Sequence, residues 1–219
     1  MMTHMQNMQR ETSYDQVFDA QEHYRILLDA MARPGTINVL PRMSLTTPPA
    51  ITGAAALVGF ALLNADVSFY ADGEAADVVT RYLVVNTSAR PESPGEADFV
   101  FAAGTASAAL LADMKKGTLP YPDEGATLVA SVEALASEVQ ALGQALGGKP
   151  HLALTLEGPG VAGKRTFFVT GVSSELVAGL QQCNQEFPLG IDLILADPGH
   201  RIACIPRSSR VEWSLSSSL

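Results

Sequence analysis

Asp192 stands in an apolar run, Phe187-Pro188-Leu189-Gly190-Ile191-Asp192-Leu193-Ile194-Leu195. A carboxylate in such a run loses much of its water and needs a compensating partner. Two readings fit: a contact to a ligand or metal, or a hydrogen bond or ion pair to local backbone or an arginine. Arg33, beside Pro34-Gly35, and Arg207, within Pro206-Arg207-Ser208, are the candidate anion contacts. A guanidinium fork donates two parallel hydrogen bonds to a phosphonate or phosphate group, so these arginines suit a small anion or a nucleotide.

Self-sufficient catalytic machinery is harder to find. The run Gly158-Pro159-Gly160-Val161-Ala162-Gly163-Lys164-Arg165 approaches a phosphate-binding loop. It lacks the Ser or Thr that should follow the lysine, and a strand rather than a helix comes next. No Gly-x-Ser-x-Gly elbow is present. The histidines, His4, His23, His151 and His200, show no metal-ligand spacing, and Cys183 and Cys204 form no CxxC pair. Lys115, Lys116, Lys149 and Lys164 all fall in turns or Gly-rich loops, a poor setting for a Schiff base. Asp15, Asp19, Glu22 and Asp29 read as the solvated face of a helix. The expectation is therefore no catalytic residue, no metal and no cofactor of the chain's own.

Composition narrows the class further. The chain has 219 residues, 47% of them hydrophobic, and a formal net charge of -9. That length suits one α/β domain, here residues 13–219 behind a flexible tail over residues 1–12. The negative field argues against nucleic acid. Two cysteines are too few for a disulfide framework, no signal-peptide core is seen, and the apolar stretch Ala50 to Ala65 is short for a bilayer. A cytoplasmic protein without membrane contact is expected.

Helices and strands are mixed along the chain. Ser13-Tyr14-Asp15-Gln16 has capping-box spacing, and Val17, Ala20, Tyr24, Leu27, Leu28 and Met31 then recur at helical intervals up to the Pro34-Gly35 stop. Ile37 to Val39 reads as a short strand, and Ala50 to Asn64 as a buried helix. Strands follow at Val67 to Ala71, Tyr82 to Val85 and Phe99 to Ala102, with a helical stretch at Ala75 to Arg81 and a short helix at Ser107 to Met114. Later strands fall at Ala126 to Val132, His151 to Leu156 and Thr166 to Gly171, with a helix over Glu133 to Leu146. Ser173 or Ser174 caps a helix from Glu175, and Asp197-Pro198-Gly199 joins the runs Ile191 to Leu195 and Ile202 to Ile205 as a hairpin. A central mixed sheet with helices on its faces accommodates this pattern.

Four segments together resemble the PhnH family. They are Tyr24 to Thr36 with its Met31-Ala32-Arg33-Pro34-Gly35 turn, and Gly117-Thr118 through Pro122-Asp123-Glu124-Gly125-Ala126-Thr127-Leu128. Gly158-Pro159-Gly160 follows, then Phe187-Pro188-Leu189-Gly190-Ile191-Asp192 with Pro206-Arg207-Ser208-Ser209-Arg210-Val211-Glu212. Order and spacing hold from about Asp19 to Glu212, although Ser208-Ser209 replaces a usual Thr-Thr. The resemblance implies a three-layer αβα sandwich like that of the pyridoxal-dependent transferases, without a working cofactor site. It also implies a homodimer, and membership of the carbon–phosphorus lyase core with PhnG, PhnI and PhnJ. In that setting the subunit supports formation of alpha-D-ribose 1-methylphosphonate 5-triphosphate from ATP and phosphonate, without catalysing it alone. Arg33, Pro34, Gly35, Asp192, Pro206 and Arg207 are the positions the resemblance and the residues together single out for ligand binding or assembly.

Overall fold

A computed structural model describes residues 9–138 and 150–216. A seven-stranded mixed sheet forms its centre. In chain order its strands are β1 (Asn38–Val39), β2 (Ser68–Ala71), β3 (Arg90–Pro91), β4 (Phe99–Ala103), β5 (Thr127–Ser131), β9 (Asp192–Ala196) and β10 (Arg201–Ile205). Their spatial order is β1-β10-β9-β5-β4-β2-β3, antiparallel from β1 to β9 and parallel from there on. The inner strands are apolar on both faces, as strands covered from both sides must be. Val129, Ile194, Ala196, Ile202 and Cys204 point to one core, and Leu128, Ala130, Leu193, Leu195, Ala203 and Ile205 to the other.

Helices α1 (Phe18–Ala32), α2 (Gly53–Leu62) and α3 (Ala76–Thr87) cover the first face. The second face carries α4 (Ala108–Asp113) and α5 (Ser174–Cys183), with a separate four-stranded antiparallel sheet beside them. That sheet has the order β11-β7-β8-β6, from β6 (Ala134–Ala136), β7 (His151–Glu157), β8 (Arg165–Thr170) and β11 (Arg210–Ser216). Its inner side chains, among them Leu152, Leu154, Leu156, Phe167 and Val169, pack into the second core. The expected central mixed sheet with helices on its faces is present, and on this face a second sheet joins the helices in the outer layer.

Several local expectations change for physical reasons. The capping box does not form: Asp15 Oδ1 instead accepts from the amides of Val17 and Phe18, and the Ser13 hydroxyl donates to Ser44 O. Tyr82 to Val85 is not a strand but the last turns of α3, because Val79, Tyr82, Leu83 and Asn86 share the buried helical face. Burial overrides the β-preference of its valines. Of the helix expected over Glu133 to Leu146, Ala134–Ala136 is strand β6, and residues 139–149 lie outside the described residues. Sequence reasoning missed strand β11, although Arg210 to Ser216 alternates polar and apolar residues strictly, the period of a half-buried strand. Residues 1–8 of the expected tail also lie outside the described residues, but Glu11 is held: its carboxylate accepts from Tyr82 Oη at 2.9 Å and from Thr46 N at 2.7 Å.

His23 lies on the buried side of α1, 1% exposed, stacked on Tyr14. Burial lowers its pKa, and nearby His200 adds to that, against the pull of Pro41 O, Asp19 and Glu22. The folded chain thus holds a neutral imidazole that the unfolded chain protonates. Stability is fully present above the ordinary histidine pKa and falls as pH drops through it. Urea midpoints are expected to decline between about pH 7 and pH 5.5, and His23→Gln to flatten that decline. An unchanged slope in the variant would remove His23 from the account.

Candidate functional site

Pairing of β9 with β10 sets Leu193 opposite Ile205, which brings Asp192, the first residue of β9, together with Arg207, two positions past the end of β10. The Asp192 carboxylate accepts from the Arg207 amide at 2.7 Å, from Nε at 3.1 Å and from Nη2 at 2.5 Å. Both side chains are mostly buried, 21% and 14% exposed. Arg207 reaches further: Nη1 donates to Pro122 O at 2.7 Å and Nη2 to Gly125 O at 3.0 Å. All three guanidinium nitrogens are therefore committed within the chain. Of the two readings of Asp192, the ion pair to an arginine is the observed one.

The knot closes around two glycines. A Cβ on Gly125 would sit 2.2 Å from Arg207 Nη1 and 2.6 Å from Gly190 O. A Cβ on Gly190 would meet Asn184 Oδ1 at 2.3 Å. Asn184, the C-cap of α5, bonds both backbone polar groups of Ile191, and Gly190 N donates to Lys116 O. Three loops, around residues 116–125, 184–191 and 206–209, are so fastened to one another. They carry Leu119, Tyr121 and Phe187, which are 75%, 61% and 65% exposed. Arg207 also borders a cavity of about 620 Å³ together with Phe187, Ser208 and Arg210.

Arg33, Pro34 and Gly35 form a second knot. Gly35 turns with φ 75°, and its amide donates to Cys204 O. Arg165, the first residue of β8, donates from Nη1 to Pro34 O at 3.0 Å and to Arg33 O at 3.4 Å. Gly160 packs so closely on the end of α1 that a Cβ there would lie 2.1 Å from Ala32 O. The Arg33 side chain is 58% exposed and pairs with Asp29. Arg33 and Arg207 are thus engaged separately: Gly35 borders a different cavity, of about 470 Å³, with Arg165 and Arg201.

The remaining candidates are structural. The Gly-rich run Gly158 to Lys164 is a hairpin between antiparallel β7 and β8, and Lys164 pairs with Glu157 at 2.6 Å and Glu212 at 3.6 Å. The Glu157 hydrogen bond and charge raise the Lys164 pKa, opposite to what a Schiff-base lysine needs. Lys115 pairs with Asp98, and Lys116 donates to two backbone carbonyls. The described lysines do not fit a pyridoxal group. Burial pushes the Cys204 thiol up, and no group of three His, Cys, Asp or Glu able to hold a metal occurs among the described residues. Sequence reasoning missed Asp197, read as part of a turn. It is fully buried, accepts from Arg201 Nε at 2.7 Å and from Leu135 N at 2.9 Å, and so ties the two sheets together.

Comparison with known proteins supplies the context. Residues 12–212 match the model of the family described as bacterial phosphonate metabolism protein PhnH. The chain is 30% identical over 202 residues to the alpha-D-ribose 1-methylphosphonate 5-triphosphate synthase subunit PhnH of Rhizobium meliloti, covering 90% of this chain and 92% of the relative. It is 34% identical over 122 residues to the putative C-P lyase subunit protein HtxG of Stutzerimonas stutzeri, 56% of this chain and 54% of the relative.

Proposed function

Since the chain belongs to the PhnH family, we propose that it is a non-catalytic subunit of a carbon–phosphorus lyase assembly, supporting transfer of phosphonate to ATP in the cytoplasm. Its partners in this reading are a second copy of itself and the PhnG, PhnI and PhnJ subunits. The likeness to a pyridoxal-dependent transferase fold is part of the same proposal, with the cofactor site lost. Both cysteines are free, and no described helix is long and apolar enough to cross a membrane.

One observation carries the reading. The Asp192–Arg207 pair spends an arginine, four guanidinium hydrogen bonds and two glycines on fixing loops that display Leu119, Tyr121 and Phe187 to solvent. Rigid, exposed aromatic side chains are what a protein interface uses as anchors, because little conformational freedom remains to be lost on docking. A second apolar stripe, Val17 just before α1 with Tyr24 and Leu28 on it, is 69%, 45% and 51% exposed and suits contact with the second copy. In this reading Asp192, Pro206 and Arg207, like Arg33, Pro34 and Gly35, serve assembly by shaping the surface.

Co-purification tests it. The wild-type chain, co-expressed with PhnG, PhnI and PhnJ, is expected to join them. Tyr121→Glu with Phe187→Glu is expected to fold normally, since both side chains are exposed, and to lose at least about tenfold in association. A folded double variant that still enters the assembly would exclude this loop cluster, and a wild-type chain that joins none of the three subunits would exclude the reading.

A further inference from the structure

The cavity of about 470 Å³ lies where β10, next to edge strand β1 of the central sheet, meets β6 and β8 of the second sheet. Arg165 and Arg201, each the first residue of its strand, both line it. Their side chains are aimed rather than free. Arg201 is gripped from the side, by a single Nε bond to buried Asp197, which leaves its two terminal nitrogens without a described acceptor. Arg165 is gripped through Nη1 by the carbonyls of Arg33 and Pro34, leaving Nη2 and Nε likewise. Among the described residues, no carboxylate pairs with Arg165. The contrast with Arg207 is clear: there every guanidinium nitrogen has an acceptor, here two of the three on each arginine have none described, and both residues line the cavity.

Two open guanidinium groups around one cavity, in a chain of net charge -9, form a local exception that an anion would neutralise. Their planar forks match oxygens of a compact, multiply charged group, and the partly enclosed setting strengthens the attraction relative to open water. We propose that this cavity binds a small phosphorus oxyanion, a phosphonate or the terminal phosphate of a larger ligand, through Arg165 and Arg201. The choice of phosphorus over carboxylate rests on the family reading above. Arg33, Pro34 and Gly35 act in it as positioning residues: their turn presents the carbonyls that hold Arg165.

Titration calorimetry of the full chain at low ionic strength, with methylphosphonate, inorganic phosphate and ATP as separate probes, tests the site. Saturable binding that weakens with added salt is expected for at least one probe. Binding of methylphosphonate or phosphate identifies a free oxyanion as the ligand, and binding of ATP alone identifies a nucleotide's terminal group. Arg165→Gln should weaken it about tenfold or more, the loss of one charge-assisted contact. Ser137→Glu keeps the test sound should Arg165→Gln disturb the turn. Ser137 is an exposed residue on the cavity wall, and a carboxylate there should abolish binding without lowering the melting temperature. No saturable binding of any probe, or binding that survives both variants, overturns the site. Co-purification of the same variants with the partner subunits separates that failure from a failure of the assembly reading.

Discussion

Arg207→Ala is expected to lower the stability of the chain by about 3 kcal/mol, the usual cost of leaving one partner of a buried ion pair behind. Asp192 would remain in its largely buried place with only the backbone amide of residue 207 as donor, the carbonyl of Gly125 would lose its Arg207 donor, and that of Pro122 would keep only the Gly125 amide. For a chain of this length the melting temperature should fall by roughly 6–12 °C. Arg207→Lys should recover little of the loss, because an ammonium cannot reach Asp192, Pro122 O and Gly125 O from one plane. Asp192→Asn should also destabilise, and the double variant should cost less than the two single losses added, since neither residue then leaves an unpaired charge. Additive losses would mean that the pair is not the unit described. Association with partner subunits should weaken in Arg207→Ala at temperatures where the chain is still folded, because the three loops that carry Leu119, Tyr121 and Phe187 are no longer fixed.

Gly160→Ala is expected to be the most damaging single-methyl change outside the packed cores. The residue has φ 79°, in a region L side chains rarely occupy, and its Cβ would fall 2.1 Å from Ala32 O and 2.9 Å from Pro34 Cδ. Backbone must move, so the loss should reach about 3 kcal/mol, the sum of left-handed strain and a forced separation of α1 from the β7–β8 hairpin. Gly163 provides the control: its φ is 75°, but a Cβ there meets nothing within 4 Å. Gly163→Ala should cost only about 1 kcal/mol, the conformational part alone. Equal effects in urea unfolding would show that the close approach at Gly160 is not what the fold depends on.

Much of the fold is legible in the sequence because its signals are local. The Pro34-Gly35 stop, the Ser173 cap and the Asp197-Pro198-Gly199 hairpin all act within a few residues of where they are written. What could not be read is long-range. Whether the late strands join one sheet or two depends on pairings such as β11 with β7, between residues far apart in sequence. Tyr82 to Val85 looks like a strand until the buried face of α3 is known.

The site divides the same way. An acid in an apolar run announced that Asp192 needed a partner, and Arg207 was at hand. That Arg207 would be consumed by that partner and by two carbonyls more than eighty positions earlier in the chain was not written in either motif. Arg165 and Arg201 carry no sequence signal beyond their charge. Their distinction is geometric: one is held by carbonyls and the other by a buried aspartate, and both forks are left open on one cavity.

Phosphonate consumption in a reconstituted system tests the central claim most directly. The purified chain alone, supplied with ATP and methylphosphonate, should consume none. Partner subunits prepared without it should be deficient, and adding it back should restore turnover in proportion to its incorporation. Consumption of phosphonate by the isolated chain would contradict the account.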